Sequence, residues 1–401
     1  MKIKASIIIL FLFSISTSCN VQKALRLAKQ GSVAQSDYYA VIPFKYVNKH
    51  IFIDVEINKE KYYFILDSGA DFSIIDPSFV KNVDYKKVTE VGVGGSSIKQ
   101  QKTELVEISA MRISNIEFKT FGAALMDLSF INNNYPCNTR PIAGIIGANI
   151  LRKTNCQIDF ANSNLVFSDN ISKLNITSKV AEFNLIPKSW GSPLVIANIN
   201  GIEKTFTLDT GSSGGITTST DFRKELNNVD KNIKYTSITK SDQLKMKFNN
   251  YYTQIDNIYF GELNLSKQLI SLENGVSSLI GNEFFENYRI TFDFQNNKLL
   301  LDLPNEVIDK SLVDYEIQLK PNYVSNRIEV SGIYNLEMST NDYEIGTLIL
   351  TIDEIDVSNF SHDELCDFWE NKWCKIQLKD KIAIKTEKRT FELVKNEYIK
   401  K

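Results

Sequence analysis

Histidine is nearly absent: 401 residues include two, His50 and His362. That scarcity argues against imidazole-held zinc and against a histidine-activated nucleophile. No excess of positive charge exists either. Lys and Arg total 46, Asp and Glu 48, so there is no basic field for phosphates and no nucleic-acid partner is expected. Cysteine is sparse, at five, and no Cys-x-x-Cys occurs, so neither a thioredoxin-like site nor a zinc ribbon is indicated. No apolar run is long enough to span a bilayer as a mature helix. What remains is globular composition, 43% hydrophobic and 23% charged, long enough for two or three domains. No cofactor and no metal are expected.

The first residues have the marks of an export signal: a basic start, Met1-Lys2-Ile3-Lys4, a short apolar core, Ile7 to Phe13, and small residues, Ser16-Thr17-Ser18, before Cys19. A cysteine directly after small residues resembles a bacterial lipobox, although Ser16 stands where that motif usually has leucine. The resemblance implies a lipid on Cys19 and an exported lipoprotein, facing the periplasm or carried on the outer membrane or cell surface. Cleavage of a plain signal and release is the alternative. Residues 20–38, polar and small, are expected to form a tether. Export also makes disulfides possible. Cys137, Cys156, Cys366 and Cys374 allow three pairings. The neighbouring pairs, Cys137 with Cys156 and Cys366 with Cys374, are the natural expectation, and four unpaired core thiols are the alternative.

The body reads as short strands. Ile51, Ile53, Val55 and Ile57 alternate with other residues, and Tyr62 to Leu66 returns after a turn at Asn58 to Lys61. Leu194 to Ala197, Asn200-Gly201 and Thr205 to Leu208 repeat the device. With Asp67 aligned on Asp209, Asn58 falls on Asn200, Phe64 on Phe206, Leu66 on Leu208, Ser68 on Thr210 and Gly69 on Gly211. Downstream, Gly144-Ile145-Ile146-Gly147 matches Ser278-Leu279-Ile280-Gly281, and Ile158-Asp159-Phe160 matches Phe292-Asp293-Phe294. Residues 39–178 and 179–304 therefore read as two homologous lobes.

Each lobe has a strand that ends in Leu-Asp-Ser/Thr-Gly. The buried strand fixes where the Asp emerges, the glycine permits a sharp turn and close approach, and the hydroxyl of Ser68 or Thr210 can bond across to the partner loop. Two such turns about a pseudo-twofold axis bring Asp67 and Asp209 together. Carboxylates that close share one proton; one acts as base on a water and the other polarises a carbonyl. Ser212 can donate to Asp209 where Ala70 offers Asp67 nothing, so Asp67 is expected to hold the proton. Asp159, Asp293 and the two histidines receive no chemical role.

These motifs resemble the retropepsin-like and pepsin-like aspartic peptidases. Asp67-Ser68-Gly69-Ala70 matches the retropepsin motif, Asp209-Thr210-Gly211-Ser212 the pepsin-side variant, and Ile145-Ile146-Gly147 and Leu279-Ile280-Gly281 the hydrophobic-hydrophobic-Gly element. The resemblance covers most of 45–304. It implies a mainly β fold of two acid-protease lobes, a peptide or protein substrate in the cleft between them, and a monomer with Ser68, Gly69, Thr210, Gly211 and Ser212 supporting the aspartates. It also implies a substrate flap at Gly92, Gly94 and Gly95. The matching stretch of lobe two, Tyr235 to Phe248, has no glycine, so one flap is expected. A non-catalytic peptide-binding lipoprotein built on the same cleft is the rival reading.

Residues 310–401 distantly resemble a small α+β PDZ domain, through Glu344 to Asp353 and a helix at Ser361 to Trp369. Thr347 replaces the usual Asp and no carboxylate-binding loop is evident. Strand-like runs follow at Lys375 to Leu378, Ile382 to Thr386 and Thr390 to Val394.

Overall fold

A computed structural model describes residues 20–80, 83–95, 98–187, 190–226, 232–241, 244–304, 310, 312–334 and 343–399. Cys19 and the apolar segment before it lie outside the described residues. Among the described residues, no helix is long and apolar enough to cross a membrane.

The protein is mainly β. In lobe one, His50–Ile57 and Glu60–Leu66 form the first hairpin. Its two turn residues, Asn58 and Lys59, have φ of 53° and 69°, the left-handed turn that continues the natural strand twist. Asn200 and Gly201, at 50° and 87°, do the same between Leu194–Ile199 and Ile202–Leu208 in lobe two. Phe64 and Phe206, matched in the sequence repeat, are both fully buried. Each contributes roughly 1.5–3 kcal/mol by leaving water.

The repeat extends to strand order. Ile142–Ile146 lies parallel to Glu60–Leu66 and antiparallel to Ser73–Ile75. Leu279–Ile280 lies parallel to Ile202–Leu208 and antiparallel to Ile216–Ser219. A six-stranded sheet, with strands from both halves, ties the lobes together. At its centre Asn155–Asp159 pairs with Arg289–Asp293, Cys156 opposite Phe292 and Ile158 opposite Ile290. One hydrophobic core runs through both lobes. Asp159 and Asp293 each end a strand here and accept the backbone N–H three residues on, from Asn162 at 3.0 Å and Asn296 at 3.1 Å. Their work is turn formation.

Three expectations need correction. Residues 20–38 are not a loose tether. Residues 20–29 are helical, Leu27 and Ala28 are buried, and Ser32–Val33 pairs with Ile116–Leu125 of lobe one. Enough apolar surface is present to dock a segment whose composition alone reads as flexible. The disulfide is Cys137–Cys366, with Cα atoms 5.5 Å apart, while Cys156 is a buried thiol and Cys374 an exposed one. Neighbourhood in sequence misled because the bond joins lobe one to the C-terminal segment. Finally, Lys375 to Leu378 is not a strand: the helix His362–Asp367, capped by Ser361 and Glu364, continues through Phe368–Trp373 to Cys374–Ile376.

The C-terminal segment has its own core, including Leu365 and Phe368 on the helix. Thr390–Val394 is the strand its sequence indicates. The segment is also stitched to both lobes. The disulfide holds it to lobe one, and Arg327–Tyr334 adds to the lobe-two sheet beside Asn232–Ser241, Tyr235 opposite Tyr334.

Candidate active site

Asp67 and Asp209 follow directly on Glu60–Leu66 and Ile202–Leu208. Their backbone N–H groups donate to Ile146 and Ile280, both at 2.9 Å, so each hydrophobic-hydrophobic-Gly strand fixes the start of a loop. The loops then lock to each other. Ser68 N donates to Thr210 Oγ1 at 2.9 Å, and Thr210 N to Ser68 Oγ at 3.0 Å. Ser68 Oγ donates to Leu208 O at 2.7 Å, and Thr210 Oγ1 to Leu66 O at 3.0 Å. Both residues are fully buried, and every donor in this square is used.

The carboxyl groups meet over this lock and share a hydrogen bond. A Cβ on Gly69 would strike the Asp209 carboxyl, and one on Gly211 the Asp67 carboxyl. Glycine is required at both places by this crossing contact. Ala70 N donates to Asp67 Oδ1, and Gly211 N to Asp209 Oδ1, each at 2.9 Å.

The two acids are not equivalent. Burial, with the charge and hydrogen bond of Asp209, holds the Asp67 carboxyl well above the usual carboxylate range. Burial raises Asp209 too, opposed by the hydrogen bond from Asp67, the Gly211 N–H and the charge of His50. Both carboxyls are thus held above the usual range as one coupled pair, Asp67 the more strongly raised. Ser212 supports this differently from the sequence-based expectation. Its backbone N–H serves Asp209, and its hydroxyl accepts from Gly214 N at 3.4 Å.

The aspartates lie in a cleft of about 920 Å³ whose walls include Val91, Gly92, Phe130 and Tyr135. Val91 and Gly92 belong to Tyr85–Gly95, which pairs with Ile98–Ile113 in a long hairpin. Gly94 and Gly95 are on the same strand. The hairpin tip at 96–97 lies outside the described residues. In lobe two the matching hairpin, Asn232–Ser241 with Leu244–Phe260, is occupied by the C-terminal strand Arg327–Tyr334. Among the described residues, no group of three or more His, Cys, Asp or Glu is placed to hold a metal ion.

Sequence reasoning missed two residues at the rim. His50 Nε2 lies 3.0 Å from Gly211 O, and Ser192 Oγ donates to Gly69 O at 2.7 Å. The repeat itself held the signal, since Ser192 follows His50 at the spacing that separates Ser68 from Thr210, 142 residues.

The aspartyl protease family model matches residues 53–150, which include Asp67 and the Ile145-Ile146-Gly147 element. No curated protein matches the chain. Among solved structures it is similar to basic 7S globulin from soybean, at 10% identity and a TM-score of 0.40, over 67% of this chain and 95% of that one.

Proposed function

From its aspartic-protease-like fold, we propose that this chain is an aspartic endopeptidase that hydrolyses peptide bonds through a water activated by Asp67 and Asp209. The observation that carries the reading is the crossed lock of Ser68 and Thr210, which presses the two carboxyls together over the cleft floor.

Asp209, as the charged member of the pair, takes a proton from water as the oxygen attacks the scissile carbonyl carbon. Asp67 gives its proton to the carbonyl oxygen, and a neutral tetrahedral diol forms. Collapse of the diol breaks the C–N bond. The amine leaves with the proton held on Asp209, and a diol hydroxyl returns one to Asp67. No covalent enzyme intermediate arises. The hairpin bearing Gly92, Gly94 and Gly95 serves as the flap, whose backbone can approach an extended peptide closely. The lobe-two hairpin is held by the C-terminal strand, which favours a single moving flap.

We place the enzyme outside the cytoplasm, tethered to a membrane through Cys19 and acting as a monomer on peptide or protein substrates. Loss of lipid labelling in Cys19→Ser tests the anchor. For the activity, a peptide library is incubated with the purified protein and with the Asp67→Asn/Asp209→Asn double variant. Cleavage by the wild type alone is expected. Equal cleavage by both removes the proposal, and peptide binding without cleavage by either supports a non-catalytic clamp instead.

A further inference from the structure

His50 begins the strand His50–Ile57, directly after the tight turn at Asn48 and Lys49, whose φ values are 49° and 60°. That turn projects from lobe one onto lobe two and is clasped there. Lys49 Nζ pairs with Glu286 at 3.2 Å and Glu283 at 3.6 Å, and Asn282 Nδ2 donates to Lys49 O at 2.7 Å. Asn282 Nδ2 also donates to Thr210 O at 2.7 Å. The same contacts that seat the turn therefore hold it against the Asp209 loop.

The surroundings of the imidazole are unusual. Nε2 faces Gly211 O at 3.0 Å, and Nδ1 faces Asn48 O at 2.8 Å and Tyr135 Oη at 2.6 Å. Both carbonyls only accept. A neutral ring has one N–H and satisfies one of them; an imidazolium satisfies both. The Tyr135 phenol suits either state, because its oxygen both donates and accepts, and burial keeps it neutral. Asp209 is the acidic group that acts on the ring. Lys49, beside it in sequence, is engaged by the two glutamates.

The repeat provides a control within the molecule. At the equivalent position Ser192 makes the equivalent bond, to Gly69 O. A hydroxyl is therefore enough to hold the glycine carbonyl. Histidine adds a group that can become charged, and it does so only on the Asp209 side.

We propose that His50 is a positioning residue for the dyad: as the medium turns acidic it becomes an imidazolium beside Asp209 and keeps the carboxyl pair at a single shared proton. The inference rests on the peptidase reading given above. Burial disfavours the charged ring and draws its titration below the ordinary histidine range, against the pull of both carbonyls and Asp209. The ring is thus neutral at neutral pH and charges in the acid range, where a second proton on the dyad would stop catalysis. A cation at that point opposes the second proton.

Two measurements test this. With two histidines in the chain, proton NMR resolves the His50 ring against His362. The His50 midpoint is expected below the ordinary histidine range, and lower again in Asp209→Asn, which removes its anionic neighbour. A midpoint unmoved by Asp209→Asn overturns the coupling, whether or not the protein cleaves anything. The second is the pH profile of kcat/KM for His50→Gln, which keeps a donor for Gly211 O but never charges. Its acid limb is expected to move upward by about half to one pH unit, with the alkaline limb unchanged. A uniform loss at every pH, with both limbs in place, reduces His50 to a packing role and overturns the proposal while leaving the dyad intact. Should His50→Gln not fold, the NMR titration decides alone.

Discussion

His50 and Ser192 are one position seen twice: each reaches the carbonyl of the glycine that follows the other lobe's aspartate, Gly211 at 3.0 Å and Gly69 at 2.7 Å. The duplicated unit thus keeps its symmetry in hydrogen bonding and breaks it in chemistry. The departure falls on the Asp209 side of the pair.

The lock beneath the aspartates predicts a large loss for a small change. Thr210→Val keeps the shape, removes the bond to Leu66 O and leaves Ser68 N buried without an acceptor. A cost of about 2–4 kcal/mol is expected, from one lost hydrogen bond and one stranded donor. Thr210→Ser should lose less than about 1.5 kcal/mol, because the hydroxyl stays. Denaturant midpoints of the three proteins compare directly; equal destabilisation by Val and Ser would show that the methyl matters and the hydroxyl does not.

Glycine substitutions should separate activity from stability. Gly69→Ala and Gly211→Ala each drive a methyl into the opposite carboxyl, so kcat/KM should fall by more than about a hundredfold, as for a misplaced reacting group. Gly201→Ala meets no neighbour but sits at φ 87°. It should cost about 1 kcal/mol in stability and leave kcat/KM unchanged. Activity in Gly69→Ala equal to that of Gly201→Ala would contradict the crossing contact.

Much of this was legible in sequence because the repeat is written in short, local signals. The turns at Asn58 and Asn200, the strands before Asp67 and Asp209 and the hydrophobic-hydrophobic-Gly elements all depend on neighbours in the chain. What failed to show depends on distance. Cys137 and Cys366 are 229 residues apart. No local pattern marks that bond; His50 finds Gly211 across 161 residues, and only its alignment with Ser192 in the repeat hints at it. Leu27 docks on lobe one from a segment that looks like linker. Lys375 to Leu378 alternates like a strand, yet the helix begun at Ser361 carries through it to Ile376.

The thiols give a chemical test of the corrected pairing. Non-reducing peptide mapping should recover Cys137 joined to Cys366. Alkylation of the native protein should label Cys374, which is exposed, and spare Cys156, which is fully buried with its thiol held well above the usual range. Cys366→Ser should destabilise by about 2–5 kcal/mol, since the bond closes a long loop. A Cys137–Cys156 peptide would contradict the structure.

The buried acids predict that catalysis opposes stability. Both carboxyls titrate above their unfolded values through burial, Asp67 most because the charge and hydrogen bond of Asp209 add to it. The folded state therefore binds protons more tightly than the unfolded one. Its stability from these groups is fully present below the unfolded carboxyl range and declines as pH rises through the folded values. Asp67→Asn should melt above the wild type at pH 7, with the gap closing below about pH 4. A variant that melts lower at pH 7 would show that burial of these acids is not the cost inferred.

The most direct test of the central claim is kcat/KM against pH for one cleaved peptide, with wild type, Asp67→Asn and Asp209→Asn side by side. A bell is expected for the wild type, because only the singly protonated pair works, and a loss of at least about a thousandfold in each variant. Either variant working at the wild-type rate, or a wild-type profile lacking one limb of the bell, would contradict it.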